Sequence, residues 1–255
     1  KIHFFETFKY LSGFLGVHPV DKPENYIEHW DWRDQRVVSP VKNELNCAAC
    51  WAFAIIAAIE SHTSIYFNQY EILSEQFLID CVFAGEKNTS ANNVYLFMFF
   101  KSEIIMNYGG VLRESDYRKY SAEQKTCEYP SINPPRPVPL YGFRRVYAFD
   151  EDIMKNHIYY DGPLVARINV ASMNKYRGGI DEPTEEECDS ALESMNHAVL
   201  IVGFSTYVSE NRIVPYWIIK NSWGPSWGDG GYYYLVRGRN ACGITNDVSM
   251  PIVSP

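Results

Sequence analysis

Cys47-Ala48-Ala49-Cys50-Trp51-Ala52-Phe53-Ala54-Ile55-Ile56-Ala57-Ala58-Ile59-Glu60-Ser61 is the stretch on which the fold turns. From Cys50 to about Tyr66 the chain holds no Gly or Pro and is apolar on nearly every side, which predicts a helix buried in a core. Cys50 stands in its first turn, where the positive end of the helix dipole favours thiolate over thiol. Taken alone, a cysteine in an Ala-rich helix is most simply a small buried hydrophobe. Outward from this helix, Ser74-Glu75-Gln76 reads as a second, short helix start, and Val94 to Asn107 as a third helix stopped by Gly109-Gly110. After the Pro-rich connector Pro130 to Pro139 the pattern changes to short strands at 164–170, 198–202, 216–220 and 232–236, punctuated by Gly, Pro, Asn and Asp. A helical half followed by a sheet half predicts an α+β protein of two lobes with a cleft between them.

The chain has 255 residues, 46% of them hydrophobic, and a net charge of −8, so a sizeable core is available. The acidic balance and the absence of a Lys/Arg run argue against a nucleic-acid partner. The longest apolar run is read as Val94 to Phe100, seven residues, far short of the roughly 20 a membrane helix needs. The start at Lys1, without Met, fits a processed product whose leader has been removed. Six cysteines, an even count, fit disulfides in an oxidising compartment, and Asn88-Thr89-Ser90 is an N-glycosylation sequon. His3, His18, His29, His62 and His157 show no metal-ligand spacing, so no metal or other cofactor is expected. Glu185-Glu186-Glu187 reads as a solvated loop.

Two further segments give Cys50 a chemical context. Met195-Asn196-His197-Ala198-Val199-Leu200-Ile201-Val202 places a histidine at the head of an apolar strand, 147 residues after Cys50. Tyr216-Trp217-Ile218-Ile219-Lys220-Asn221-Ser222-Trp223-Gly224 places an amide at a strand end, 171 residues after Cys50 and ahead of a Trp/Gly turn. An imidazole beside a helix-start thiol would complete its activation as a thiolate–imidazolium pair.

With these three motifs in this order, the chain from Asp31 to about Val253 resembles the papain-like, cathepsin L-type cysteine proteases. Within that group it is most similar to the baculoviral cathepsins, in Cys-Ala-Ala-Cys-Trp-Ala-Phe-Ala, Gly-Gly-Val-x-x-Glu-Ser-Asp-Tyr and Asn-Ala-Cys-Gly-Ile-x-Asn. The resemblance implies a helical left lobe (about 45–140), a β-barrel-like right lobe (about 141–238) and a tail crossing back. It implies a catalytic set of Cys50, His197 as general acid/base and Asn221 as its orienter, with Trp223 shielding the His–Asn hydrogen bond. It also implies disulfides Cys81–Cys127 and Cys188–Cys242, and a substrate pocket lined by Met195 and Asp247. Some relatives with an acid at the latter position accept Arg or Lys there. The implied activity is a cysteine endopeptidase acting on peptides or proteins in a secreted, lysosomal or other secretory-pathway compartment.

The sequence departs from that family at three places. The family's oxyanion-hole Gln is here Glu44, whose ionised carboxylate would repel a developing oxyanion and whose protonated form would donate to it. The Gly-Cys-Asn-Gly-Gly segment that normally follows Cys81 is replaced by Gly85-Glu86-Lys87-Asn88-Thr89-Ser90-Ala91-Asn92-Asn93, leaving Cys47 a free thiol in a C-x-x-C pair with Cys50. Residues 1–30 precede the peptidase domain (31–255) as an extension, a retained pro-segment or an interaction arm that could mediate self-association. These departures leave a second reading: a catalytically impaired homologue with a structural, storage or assembly role.

Overall fold

The computed structural model describes residues 27–82, 103–130, 133–148 and 150–254. The candidate arm as far as residue 26, the sequon, the Gly85–Asn93 loop and residues 94–102 of the third expected helix lie outside the described residues.

Helix α1 spans Cys50–Phe67, and every residue from Cys50 to Thr63 is buried. It ends where Asn68 takes a left-handed conformation (φ 53°) and returns its N–H to the Ser64 carbonyl. By length and composition α1 could cross a membrane, which corrects the reading of a seven-residue run as the longest; with 78% of it buried inside the protein, it is a core helix. Ser74 caps α2 (Glu75–Phe77) by accepting the Phe77 N–H at 3.1 Å, and the chain continues through a π turn at Leu78–Val82. Residues 103–107 form α3, closed by Gly110 N–H to the Ile105 carbonyl at 3.0 Å.

The second half is one mixed sheet with strands β1 (Trp30–Asp31), β2 (Gly142–Val146), β3 (Leu164–Ile168), β4 (Ile180–Asp181), β5 (His197–Ser209), β6 (Arg212–Lys220), β7 (Tyr232–Val236) and β8 (Val248–Ile252). Their order is β2-β8-β3-β5-β6-β7-β4, with β1 added to β5. The expected sheet half also contains a helix, α4 (Glu151–Tyr160), capped by Asp150 through the Ile153 N–H at 2.9 Å. Trp30, assigned to the extension from sequence, pairs with Phe204 in the sheet. Gly203 permits this approach, because a Cβ there would sit 2.3 Å from the Trp30 carbonyl oxygen.

The apolar runs of β3, β5 and β6 have a common cause. Along β5, Ala198, Leu200 and Val202 pack into the core that contains α1, whereas Val199 and Ile201 pack into a second core on the opposite side. Val165 of β3 and Ile218 of β6 likewise face α1, while Leu164, Ala166, Trp217 and Ile219 face the second core. A sheet buried on both faces loses the apolar/polar alternation of a half-exposed one. The packing also places the start of α1 beside the start of β5, which brings Cys50 to the residues around His197.

A buried ionic network joins the two halves. Glu60, 2% exposed in the middle of α1, accepts from Ser39 Oγ and from the Leu73 N–H at 2.8 Å, and lies 3.7 Å from Lys42. Lys42 also binds Glu75 at 2.8 Å, and Lys220, at the end of β6, donates to Ser39 Oγ at 2.9 Å. Burial lowers the Lys220 ammonium to about 8, and Glu60 opposes that shift. Removing one member leaves buried charge unpaired, so Glu60→Ala is expected to cost about 3–5 kcal/mol of stability. Urea unfolding should show this as a lower midpoint at unchanged slope; a loss below about 1 kcal/mol would contradict the network's structural role.

Candidate active site

Three elements meet at the site: the first residue of α1, the first residue of β5, and the turn that leaves β6. Segment 42–44 is stitched to that turn by Glu44 N–H to the Ser222 carbonyl at 2.8 Å and Gly224 N–H to the Lys42 carbonyl at 3.1 Å. Gly224 has φ +83°, and a side chain there would press on the Asn43 amide at 2.9 Å. Cys50 is 7% exposed, and its sulfur accepts the backbone N–H of Ala198, the residue after His197. His197, 6% exposed, donates from Nε2 to Asn221 Oδ1 at 2.8 Å. This bond fixes the tautomer with a lone pair on Nδ1. The Trp223 indole covers the imidazole at a centroid distance of 5.0 Å and is itself held edge-on by Trp227 at 5.0 Å. The structure therefore brings Cys50, His197, Asn221 and Trp223 into one neighbourhood.

Glu44 belongs to the same cluster and is 4% exposed. Its Oε1 accepts from Ser222 Oγ at 3.0 Å and from Trp223 Nε1 at 2.9 Å. Its Oε2 accepts the Ala49 N–H at 3.2 Å, and the carboxylate also draws the N–H of Cys50. Tyr120 donates to the Glu44 carbonyl at 2.7 Å and fixes the backbone. Burial raises the Glu44 carboxyl to about 7 even though all four donors pull it down. Both side-chain donors sit on Oε1, and Oε2 is the oxygen turned toward the start of α1. Neutral Glu44 keeps an acceptor for Ser222 and Trp223 and carries one O–H donor, the donor-and-acceptor pair a Gln amide would also present. Ser222 was not singled out from the sequence; a hydroxyl beside Asn221 carries no signal until Glu44 is seen against it.

The charge states differ from the helix-dipole expectation. Burial, with a further contribution from the Glu44 charge, raises the Cys50 thiol to about 12, and burial lowers His197 to about 4 against the pull of Asn221. Burial thus disfavours the charged form of each group. Protonation of Glu44 would remove a negative charge that opposes a Cys50 thiolate.

The remaining expected residues fall as follows. Disulfides join Cys81 to Cys127 and Cys188 to Cys242, with Cα–Cα distances of 4.7 and 5.0 Å. Cys47 is half-buried and unbonded, and Cys50 is also a free thiol, so the C-x-x-C pair is reduced in this structure. Met195 is fully buried and packs on Gly243, a tighter setting than an open pocket wall. Asp247 is not a solitary acid: it lies 3.6 Å from the buried guanidinium of Arg167, a residue the sequence reading passed over.

Comparison with known proteins places these observations. The family model described as "Papain family cysteine protease" matches residues 26–252. "Probable cysteine protease RD19B" of Arabidopsis thaliana is 35% identical over 240 residues, covering 91% of this chain and 64% of the relative. The chain therefore spans just under two thirds of that relative's length. "Viral cathepsin" of Orgyia pseudotsugata multicapsid polyhedrosis virus is 39% identical over 239 residues, covering 93% of this chain and 68% of the relative. Among solved structures, bromelain protease from Ananas comosus in complex with the E64 inhibitor superposes with a TM-score of 0.76 at 32% identity, covering 90% of this chain and all of that one.

Proposed function

The chain belongs to the papain family of cysteine proteases, and from that premise we propose that it is a cysteine endopeptidase whose oxyanion hole works only while Glu44 is protonated. The observation that carries this reading is the Glu44 carboxyl itself. It is buried, both side-chain donors lie on Oε1, and Oε2 is turned to the backbone N–H groups at the start of α1.

In this reading Cys50 passes its proton to His197 Nδ1 and the thiolate attacks the substrate carbonyl carbon. The oxyanion formed is held by the Cys50 N–H and the Glu44 Oε2–H. His197 returns the proton to the leaving amine as the C–N bond breaks. Water, deprotonated by His197, then hydrolyses the thioester and restores the thiol. Asn221 holds the imidazole tautomer throughout. Above the Glu44 titration the ionised carboxylate occupies the N–H groups meant for the oxyanion and opposes the thiolate, so both effects lower the rate in the same pH direction. The substrate is a peptide or protein chain. The disulfides suit an oxidising compartment, and the protonated carboxyl suits an acidic one in the secretory or lysosomal pathway.

Labelling with an epoxysuccinyl thiol inhibitor tests this. Reduced protein at pH 5 is expected to take up one equivalent at Cys50, and Cys50→Ala none. No labelling at any pH between 4 and 7 would reject the enzyme in favour of a non-catalytic relative that keeps the fold.

A further inference from the structure

Glu44 sits on a turn that its own residues do not favour. Leu45, the next residue, has φ +55°, a left-handed conformation that is strained for any residue with a Cβ. Its side chain is 61% exposed, so core packing does not offset that strain. Such a conformation persists where its surroundings over-determine it. Within the segment, Asn43 Oδ1 accepts the Leu45 N–H at 2.9 Å and the Glu44 carbonyl accepts the Cys47 N–H at 3.2 Å. The sheet side holds the turn through the Glu44 N–H and the Ser222 carbonyl. The helical side holds it through Tyr120, whose hydroxyl donates to the Glu44 carbonyl at 2.7 Å from 76 residues further along the chain. Tyr120 is firmly mounted. Phe53 of α1 meets its ring edge-on at 5.1 Å, and the next residue, Ser121, gives its N–H to Gln76 Oε1 at 2.9 Å. Gln76 is buried in α2 and in turn binds the Glu123 carbonyl at 2.8 Å. The free thiol of Cys47 also meets the Tyr120 hydroxyl; because the hydroxyl proton goes to Glu44, the thiol is the donor there.

We infer that Tyr120 is a positioning residue for the oxyanion hole: by holding the Glu44 carbonyl, its hydroxyl keeps the Leu45 turn closed and the Glu44 carboxyl buried at the start of α1. This rests on the proposed peptidase reading, in which Glu44 serves the oxyanion. Without the hydroxyl, the Glu44 carbonyl keeps the longer bond from Cys47, and the strained turn is free to relax. Relaxation moves the carboxyl toward water. Burial is what raises the Glu44 carboxyl, so hydration returns it toward the ordinary carboxylate range and its proton is lost at lower pH. The titratable groups that feel the Glu44 charge are the Cys47 and Cys50 thiols and the Tyr120 hydroxyl. Burial holds all three protonated, so a shift in the pH profile reads the hydration of Glu44.

The test measures kcat/KM against pH for wild type and for Tyr120→Phe, which keeps the ring against Phe53 and removes the hydroxyl alone. The variant is expected to lose activity on the alkaline side with a midpoint at least about one pH unit below that of wild type, a tenfold change in the proton affinity of the controlling group. Leu45→Gly in the same variant lets the turn keep its left-handed residue without strain, and the midpoint should return to the wild-type value. Structural damage lowers the rate by one factor at every pH and leaves the midpoint in place. An unchanged midpoint in Tyr120→Phe, or a Tyr120→Phe/Leu45→Gly variant that keeps the lowered midpoint, would overturn the inference. Difference infrared spectroscopy of the Glu44 carboxyl in a Cys50→Ala background, with and without Tyr120→Phe, separates this inference from the peptidase reading. A carboxyl midpoint that falls in Tyr120→Phe while wild type cleaves no peptide would sink the peptidase reading and leave the tie standing. Turnover in wild type with a carboxyl midpoint unmoved by Tyr120→Phe would do the reverse.

Discussion

Glu44→Gln at pH 8 is expected to cleave a peptide substrate about 10²–10³ times faster than the wild-type protein, the range associated with one oxyanion-hole donor. The sign follows from the direction of the shift. Burial raises Glu44 to about 7, so at pH 5 it is largely a neutral donor and at pH 8 largely a carboxylate that accepts the N–H groups at the start of α1. At pH 5 the substitution exchanges one donor for another and the two proteins should differ by less than about tenfold. Initial rates at the two pH values with one substrate check both halves of this expectation. A Gln variant no faster at pH 8 would mean that the carboxylate is not what limits the reaction.

The second large effect concerns the Cys50–His197 pair. Cys50→Ala and His197→Ala should each lower kcat by about 10⁴–10⁶, and the double variant should lose no more than the worse single variant. The physical reason lies in the proposed mechanism, in which a proton passed from Cys50 to His197 charges both groups in one step, whereas burial pushes the lone thiol up and the lone imidazole down. Single-turnover assays on purified variants, with thermal unfolding to confirm that each is folded, provide the readout. Losses that multiply in the double variant would show two independent contributions in place of one unit.

Much of this site is legible in the sequence because its parts stand where local structure changes type. Cys50 opens a helix with no Gly or Pro, His197 opens a continuous apolar strand, and Asn221 follows another. The strand cores at 164–168 and 198–202 are readable because they are buried on both faces, and those at 216–220 and 232–236 because they are rich in aromatic and β-branched residues. The flanking parts are hidden by weaker patterns. Strands β5 and β6 continue into a hairpin whose Tyr207, Val208 and Ile213 are exposed, joined through Glu210-Asn211 without the Gly that usually marks such a turn. Strand β8 contains Pro251, which argues against a strand in any local reading, although Pro251 sits opposite Phe143 of β2. Helix α4 did carry a start signal, Asp150 followed by Glu151 and Asp152, but it is only ten residues long.

The polar interior was the least legible part. Glu44, Glu60 and Arg167 each look like a misplaced charge in sequence, and only the fold supplies the partners that explain them: Ser222 and Trp223 for the first, Ser39 and Lys42 for the second, Asp247 for the third. Each of these pairs is separated by more than 15 residues along the chain, so no local pattern can announce it.

The central claim is that the proton on Glu44 and the activity of Cys50 titrate together. Difference infrared spectroscopy with ¹³C-labelled Glu, wild type minus Glu44→Gln, reads the Glu44 carboxyl directly as pH is raised from 4 to 9. A protonated carboxyl band is expected to disappear with a midpoint near 7, coincident with the alkaline fall in kcat/KM. A Glu44 already ionised at pH 5 in a protein that still cleaves peptide would contradict it.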